Sequence, residues 1–510
     1  AAASALYGSR AKDGVIMITT KSGGKSGLVV EYNSNYTNET PLDFTDFQYE
    51  YGQGEGGLRP TTPNPTSGVW SFGEKFEPGM TQILFDGVEA PYEPVRDRIR
   101  TFYRNGQSFT NTISVSNGGE FGSLRLSASN LDNKGIVPNN TFKRQSVNLN
   151  FRQQMAQKFN VTGSINYSHD RNENAPTVAT QDLSTPTVIY SLSNSMPFDL
   201  LESEAEDEFG NERIYSRFRN RTNPYFVLNN HFNNITRDRV FGNVAARFNF
   251  TDWLYAQVRM GQDYTFRFQE DNGRPTGAAS LGVAPAGFVN GEYRQDATRI
   301  RETNYDFIIG ANQEFGAFGV DLTLGGNQMY RGIERNRQLA TDFVVRDLYT
   351  LQNARVVNSS YDIIERKVNS IYGAAEINYK AWLYLNATLR NDWFSTLAPE
   401  LRSINYPSLT GSFVFSQAFQ NLPGWLYFGK IRAAYAEVGS DTDVAPYSNN
   451  LFFGTNANLY NGKSIGSISG DRIPSSTLSP MRVKEWEFGL ETKLFDNRVG
   501  LEISIYDKVT

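Results

Sequence analysis

Two histidines, a run of carboxylates and a Gly-Lys-Ser triplet are the residues in this 510-residue chain with the most obvious capacity for chemistry. With only His169 and His231, multi-histidine metal centres are excluded and a histidine-based triad has few options. His169 lies in the polar stretch Ser168–Asp170 at a strand end and is expected to be solvated rather than catalytic, and the same expectation applies to His231. Gly24-Lys25-Ser26 resembles the end of a phosphate loop, but Thr19 stands where the first glycine is required and no helical pattern follows. It reads as a hinge. The run Glu202-Ser203-Glu204-Ala205-Glu206-Asp207-Glu208 offers the oxygen donors that Ca²⁺ prefers, yet lacks the spaced Asp/Asn-Gly loop, so a solvated loop face is the better reading. Asp441 and Asp443, beside Gly439, have an equal and equally weak claim. No Gly-x-Ser-x-Gly elbow is present. No catalytic residue, cofactor-binding residue or metal ligand is assigned, no cofactor is expected, and the protein is not read as an enzyme. Trp70, Phe72, Tyr215 and Tyr225 fall in long loops, where exposed rings could stack on sugars or grip a peptide or lid protein, and substrate-binding residues stay unassigned.

The elements that would have to position any site are strands. Aromatics make up 13% of the chain and Asn and Gly are abundant, a mix that suits amphipathic strands joined by polar turns. A hydrophobic content of 39% taken alone suggests a soluble protein, but a barrel strand shows lipid only alternate side chains and can average out polar. The longest apolar runs, such as Val15-Ile16-Met17-Ile18, are far short of the ~20 residues a spanning helix needs. The absence of cysteine excludes disulfides and thiolate chemistry and is compatible with passage through an oxidising periplasm. A net charge of −5 without a basic block argues against nucleic acid as a partner.

From Leu28 onward, alternation of apolar and polar residues marks fifteen candidate strands. In Val499–Thr510 the residues Val499, Leu501, Ile503 and Ile505 share one face; in Trp486–Phe495 the apolar face is Trp486, Phe488, Leu490 and Leu494; in Trp382–Arg390 it is Leu383, Leu385, Ala387 and Leu389. A soluble sandwich would alternate in the same way, so the connections are more decisive. Short joints near Gly118-Gly119, Gln153–Gln157, Thr251-Asp252, Gly316-Ala317, Lys380-Ala381, Asn421–Gly424 and Asp496-Asn497 alternate with long segments near 38–107, 132–140, 172–236, 270–295, 331–360, 396–406 and 441–480. Short turns on one side and long loops on the other are the habit of transmembrane barrels. Phe250, Trp253, Tyr379, Trp382, Phe419, Trp425 and Phe495 cluster beside the short turns, where an interfacial girdle would lie; cross-strand packing of hairpin aromatics is the plainer alternative. An amphipathic helix is expected over Glu93–Tyr103, with Val95, Ile99, Phe102 and Tyr103 on one face. The first residues read as a short helix stopping at Gly8, a turn at Asp13-Gly14 and a buried-type strand Val15–Thr20.

Ala3-Ser4-Ala5-Leu6-Tyr7-Gly8-Ser9-Arg10-Ala11, followed by Gly14-Val15-Ile16-Met17-Ile18-Thr19-Thr20-Lys21, resembles the closing stretch of a TonB-dependent plug of the SusC/RagA type. Family-like stretches follow in order at Leu131–Pro138, Arg239–Val244, Leu389–Leu397, Lys430–Gly439, Trp486–Glu491 and Tyr506–Lys508. No single motif is diagnostic, but their order spans essentially the whole chain. The resemblance implies an all-β fold: a 22-stranded transmembrane antiparallel barrel filled by an α+β plug, of which about fifteen strands are present here. Residues 1–27 are then the end of the plug and its hinge, and 28–510 the N-terminal portion of the barrel. Fifteen strands leave two open edges that a bilayer does not tolerate. The natural protein is therefore expected to extend beyond Thr510 and to begin before Ala1, where no signal peptide is evident and where a TonB-contacting segment is expected.

By the same resemblance the function is TonB-dependent import of a bulky nutrient, an oligosaccharide or peptide, across the bacterial outer membrane, with a SusD-like surface lipoprotein as lid and outer-membrane lipid around the barrel. Rival readings are a SusC-like barrel serving as a structural subunit of a larger outer-membrane assembly, a surface enzyme, and a soluble β-sandwich adhesin. The cargo, the oligomeric state and the partner-contacting loops are not encoded in any motif.

Overall fold

The computed structural model describes residues 8, 16, 21 and 27–510, apart from 64–67, 85–86, 179–181, 219–220, 280–282, 420, 442–443, 469–472 and 476. The expected helix, turn and strand before residue 21, the hinge at Gly24–Ser26 and Asp443 lie outside the described residues, Gly8 and Ile16 excepted.

Among the described residues, fifteen strands form one continuous antiparallel sheet, the number expected from the sequence. In chain order they begin with β1 (Gly27–Glu39), β4 (Gly106–Gly118), β5 (Gly122–Lys134), β6 (Thr141–Ala156) and β7 (Phe159–Glu173). Next come β8 (Asn233–Asn249), β9 (Leu254–Arg274), β10 (Val289–Phe315), β11 (Phe318–Phe343) and β12 (Ala354–Tyr379). The sheet ends with β13 (Leu383–Phe394), β14 (Ser403–Phe413), β15 (Leu426–Ser440), β18 (Met481–Leu494) and β19 (Val499–Val509). Each pairs with the next in chain order, and β1 and β19 are its edges among the described residues. Two small hairpins stand apart in the long connections: β2 (Thr81–Leu84) with β3 (Val88–Pro91), and β16 (Phe453–Tyr460) with β17 (Lys463–Ile468).

The short joints fall where the sequence places them. At Lys380-Ala381 both residues have positive φ, 49° and 58°, and the Trp382 N–H donates to the Tyr379 carbonyl at 3.1 Å, a type I′ turn whose twist suits a tight hairpin. Strand lengths differ from expectation in one region. β10, β11 and β12 run for 27, 26 and 26 residues, whereas ~9–11 tilted residues cross a bilayer. The segment read as a loop near 331–360 is therefore largely sheet, and both ends of the one near 270–295 are strand. Stretches such as Arg294–Asp296 and Arg335–Gln338 are polar on both faces, so the period-2 hydrophobic signal disappears although the hydrogen-bonded ladder continues.

The sheet has two chemically different faces. Ile371, Leu385, Leu389 and Leu409 stand on one and are about half exposed; Ser370, Arg390, Asp392 and Tyr406 stand on the other and are buried. Beside the short turns the apolar face ends in ring contacts: Phe318 with Tyr379 at 4.8 Å, Tyr379 with Trp382 at 5.2 Å, Trp382 with Phe413 at 5.5 Å, and Phe413 with Phe419 at 5.9 Å. Phe250, Trp253, Trp425 and Phe495 are exposed along the same rim.

Two long connections, 40–105 and 174–232, pack on each other around a common core. Leu84, Ala90 and Phe102 come from the first; Val188, Ile189, Leu192, Met196, Phe198, Leu201 and Tyr215 come from the second. The second carries helices α2 (Thr185–Ser191), α3 (Phe198–Ser203) and α4 (Pro224–Asn230); the first carries α1 (Arg98–Phe102). α1 is half the length expected over Glu93–Tyr103, because Asp97 at its N-cap takes the left-handed conformation, φ 58°, and breaks the preceding turn. Its apolar face still packs as the spacing implied, with Val95, Ile99 and Tyr103 against the shared core.

Candidate functional site in the polar face of the sheet

The buried polar face is built around carboxylates held by arginine. On β12–β14, Arg390 Nε donates to Asp392 Oδ1 at 2.7 Å and Arg390 Nη2 donates to Ser370 Oγ at 2.7 Å, while the Tyr406 hydroxyl donates to Asp392. Antiparallel register sets this cluster, since Ser370 pairs with Asp392 and Arg390 pairs with Tyr406 on adjacent strands. Gly8, from the N-terminal segment, is buried against this guanidinium: a Cβ at Gly8 would lie 2.8 Å from Arg390 Nη2. Nearby, Asp441 is buried between Arg366 and the Thr396 hydroxyl, and burial pushes its carboxyl above the usual range despite those partners. The weak claim of Asp441 as a cation ligand finds no support, because both of its oxygens are engaged inside the protein.

Further along, Asp170 bridges Arg144 at 2.7 Å and Arg237; Asp263 meets Arg239 at 2.6 Å; Asp306 meets Arg259 at 2.9 Å. Toward the ends of β8–β12 opposite the short turns, this face opens into a cleft of about 590 Å³ whose walls include Asp182, His231, Asp271, Arg274, Glu292 and Arg294. A second hollow of about 490 Å³ shares Gln269, Asp271 and Arg294 with it and adds Asp296, Arg335 and Arg337. The two form one polar groove of the size that holds small ligands. Arg294 meets Asp271 at 3.0 Å, Arg335 Nε donates to Asp296 at 2.7 Å, and Arg274 pairs with Asp182. Pairing cancels most of the charge while leaving guanidinium N–H groups, carboxylate lone pairs and the Gln269 amide facing the space, a surface suited to hydroxyl- or amide-rich ligands.

The two histidines expected to be solvated differ in their surroundings. His169 is half-exposed and its Nδ1 lies 2.8 Å from Asp238 Oδ1, so it has a carboxylate partner rather than water alone. His231 is not solvated as expected. Its Nδ1 lies 2.8 Å from Asn272 Oδ1, its Nε2 is shut off from solvent with no hydrogen-bond partner, and burial pushes its pKa below the ordinary histidine value. At the α4–β8 junction Asn272 also accepts from the Phe232 N–H and donates to the Asn230 carbonyl, fixing one edge of a ring that also lines the cleft.

Three carboxylates of the acidic run make internal contacts, while Glu202 and Glu208 are exposed. Glu204 pairs with Arg213 at 3.1 Å, Glu206 accepts from Asn230, and Asp207 accepts from the N–H groups of Phe209 and Asn211. Burial opposes ionisation of Asp207, but those hydrogen bonds outweigh it and hold its carboxyl below the usual range. Among the described residues no group of three or more His, Asp or Glu could hold a metal ion.

Of the four loop aromatics, Trp70 and Phe72 are exposed, with Arg217 stacked 4.7 Å from the Trp70 ring. Tyr215 is instead only 2% exposed, and Tyr225 packs against the same core, so neither is an open ligand platform. Helix starts at Ser184-Thr185-Pro186 and Asn223-Pro224, where the Ser and Asn side chains accept from Thr187 N–H and Tyr225 N–H, are signals in the sequence that this loop is folded.

A sheet apolar outside, ion-paired inside and edged by short turns is a barrel wall, and the profile "TonB dependent receptor-like, beta-barrel" matches residues 193–510. The chain belongs to that family. It is an outer-membrane β-barrel protein. The chain is 24% identical over 99% of its length to TonB-dependent receptor P3 of Formosa agariphila, covering 48% of that protein. It is 22% identical over 80% of its length to TonB-dependent receptor SusC of Bacteroides thetaiotaomicron, covering 39% of it. The chain thus spans about half the length, or less, of the curated relatives it matches. Among solved structures the RagAB peptide transporter superposes with a TM-score of 0.74 at 18% identity, over 99% of this chain and 57% of that one. At that identity the likeness establishes the fold of the family wall.

Proposed function

We propose that the protein imports a bulky nutrient, an oligosaccharide or peptide, across the outer membrane, driven through TonB. Residues 1–27 are the end of a plug whose Gly8 seats on the barrel wall, and 28–510 are barrel. A SusD-like lipoprotein closes the outer mouth. The observation that carries this reading is the polar groove at the outer end of β8–β12, continuous in chemistry with the ion-paired face that receives Gly8. Family membership supports the transport class, and a relative named SusC together with the fold of the RagAB peptide transporter supports a lid partner and a polymeric cargo. An enzymatic role has no support from the site, since the groove carboxylates Asp182, Asp271 and Asp296 are committed to arginines.

The test is purification from outer membranes in mild detergent, followed by mass spectrometry of what remains bound. A stoichiometric lipoprotein with glycan or peptide in the lumen is expected. An assembly machine around a sealed, empty barrel would contradict import and favour a structural role.

A further inference from the structure

The apolar face is not uniform. Across β13, β14, β15, β18 and β19 it dips into a groove of about 620 Å³, floored by Gly411 and Ala433 and walled by Phe413, Ile431, Phe488 and Ile503. The two polar residues beside it point away: Arg432 pairs with Glu487 and Glu502 on the opposite face, and Ser412 alternates with Gly411 and Phe413 onto that face. The groove therefore presents apolar side chains and little else.

Its position defines what fills it. Leu383 and Phe413, the residues of β13 and β14 nearest the short turns, form one end, directly beside the ring pair of Trp382 and Phe413. Interfacial aromatics mark the headgroup level on the short-turn side of a barrel, which is the periplasmic side. From that level the groove runs toward the middle of the apolar belt, ending among Phe488 and Ile505. Bulk lipid already covers this belt, so the occupant must be apolar, elongated and anchored at the periplasmic headgroup level.

We infer that this groove is a binding site for one acyl chain of a phospholipid in the periplasmic leaflet. Large side chains on both walls and small ones on the floor let a chain sink below the lipid-contact surface, where it meets protein on three sides instead of one. Contact with more atoms at van der Waals distance holds it longer than an annular lipid. Filling the floor should evict it at little cost to the fold. A Cβ at Gly411 would meet only Leu385 Cδ2, at 3.6 Å, so a side chain there extends into the groove without backbone strain.

The experiment uses the protein purified from outer membranes, exchanged into nanodiscs of phosphatidylethanolamine and phosphatidylglycerol, released into mild detergent and weighed by native mass spectrometry. Wild type should retain one phospholipid per barrel. Gly411→Leu and, independently, Ala433→Leu should lower that occupancy at least tenfold. Ala246→Leu, on the same apolar face of β8 but away from the groove, should leave it unchanged. Heat-modifiable migration confirms that each variant is folded. Equal retention in folded Gly411→Leu and Ala433→Leu would overturn the proposal. So would retention of lipopolysaccharide in place of phospholipid, or crosslinking of the Ile431 position to a protein neighbour. None of these outcomes bears on nutrient import.

Discussion

Gly8 lies against the guanidinium of Arg390, and Arg390 is itself fixed by Asp392 and Ser370, so the N-terminal segment meets a wall residue that cannot swing away. Gly8 also has φ +78°, a conformation that costs other L-residues roughly 1–2 kcal/mol. Gly8→Ala is therefore expected to unseat the segment. Limited proteolysis should cut it several-fold faster than in wild type while the barrel keeps its heat-modifiable migration; unchanged protection would contradict the contact.

The cluster behind Arg390 is a stability determinant. Arg390, Asp392 and Tyr406 are all buried, and Asp392→Ala leaves a guanidinium and a hydroxyl without their carboxylate. Removing one partner of such a pair costs about 3–5 kcal/mol. Urea titration of refolded protein should show a lowered midpoint at unchanged slope.

The joint between the folded loops and the sheet should respond to pH through His231. Its folded pKa is depressed by burial, so its contribution to stability is fully present above the unfolded value of about 6.5 and is lost as pH falls below it. Amide protection near Asn230–Asn233, taken relative to the intrinsic exchange rate at each pH, should fall between pH 7.5 and 5.5 in wild type. His231→Gln should flatten that dependence.

Gly68, at φ +67°, touches Tyr215 and Ser216 where the two long loops cross: a Cβ would come within 2.8 Å of the Tyr215 carbonyl, and the Ser193 N–H donates to the Gly68 carbonyl at 3.0 Å. Gly68→Ala should separate the loops. Protease sensitivity within 174–232 should rise, with the sheet unaffected.

The transmembrane part of the fold is legible in the sequence because lipid on one face and polar lumen on the other write period 2 into the strands, and most of the short turns carry Gly, Asn or Asp. The folded loops are not. Tyr215 sits among polar neighbours in sequence, and its burial depends on Leu84 and Phe102 arriving from another loop more than a hundred residues away. The partial burial of His231 is hidden for the same reason, since its partner is Asn272 at the end of β9. In the outer halves of β10 and β11 stretches such as Arg294–Asp296 and Arg335–Gln338 are polar on both faces, and in β12 Val356-Val357 and Ile363-Ile364 are apolar on both, so the pattern is lost while the backbone ladder persists. The groove on the polar face is equally hidden: Asp271, Arg294, Asp296 and Arg335 come together only through the register of three strands.

The most direct test of import is uptake of the co-purified nutrient, radiolabelled, by intact cells carrying wild-type protein or a variant with Arg294→Ala and Arg335→Ala in the groove, each with and without a protonophore. The account predicts saturable uptake in wild type that collapses with the protonophore and falls at least tenfold in the variant at limiting nutrient. Uptake equal in cells lacking the protein, or indifferent to both the protonophore and the groove substitutions, would contradict it.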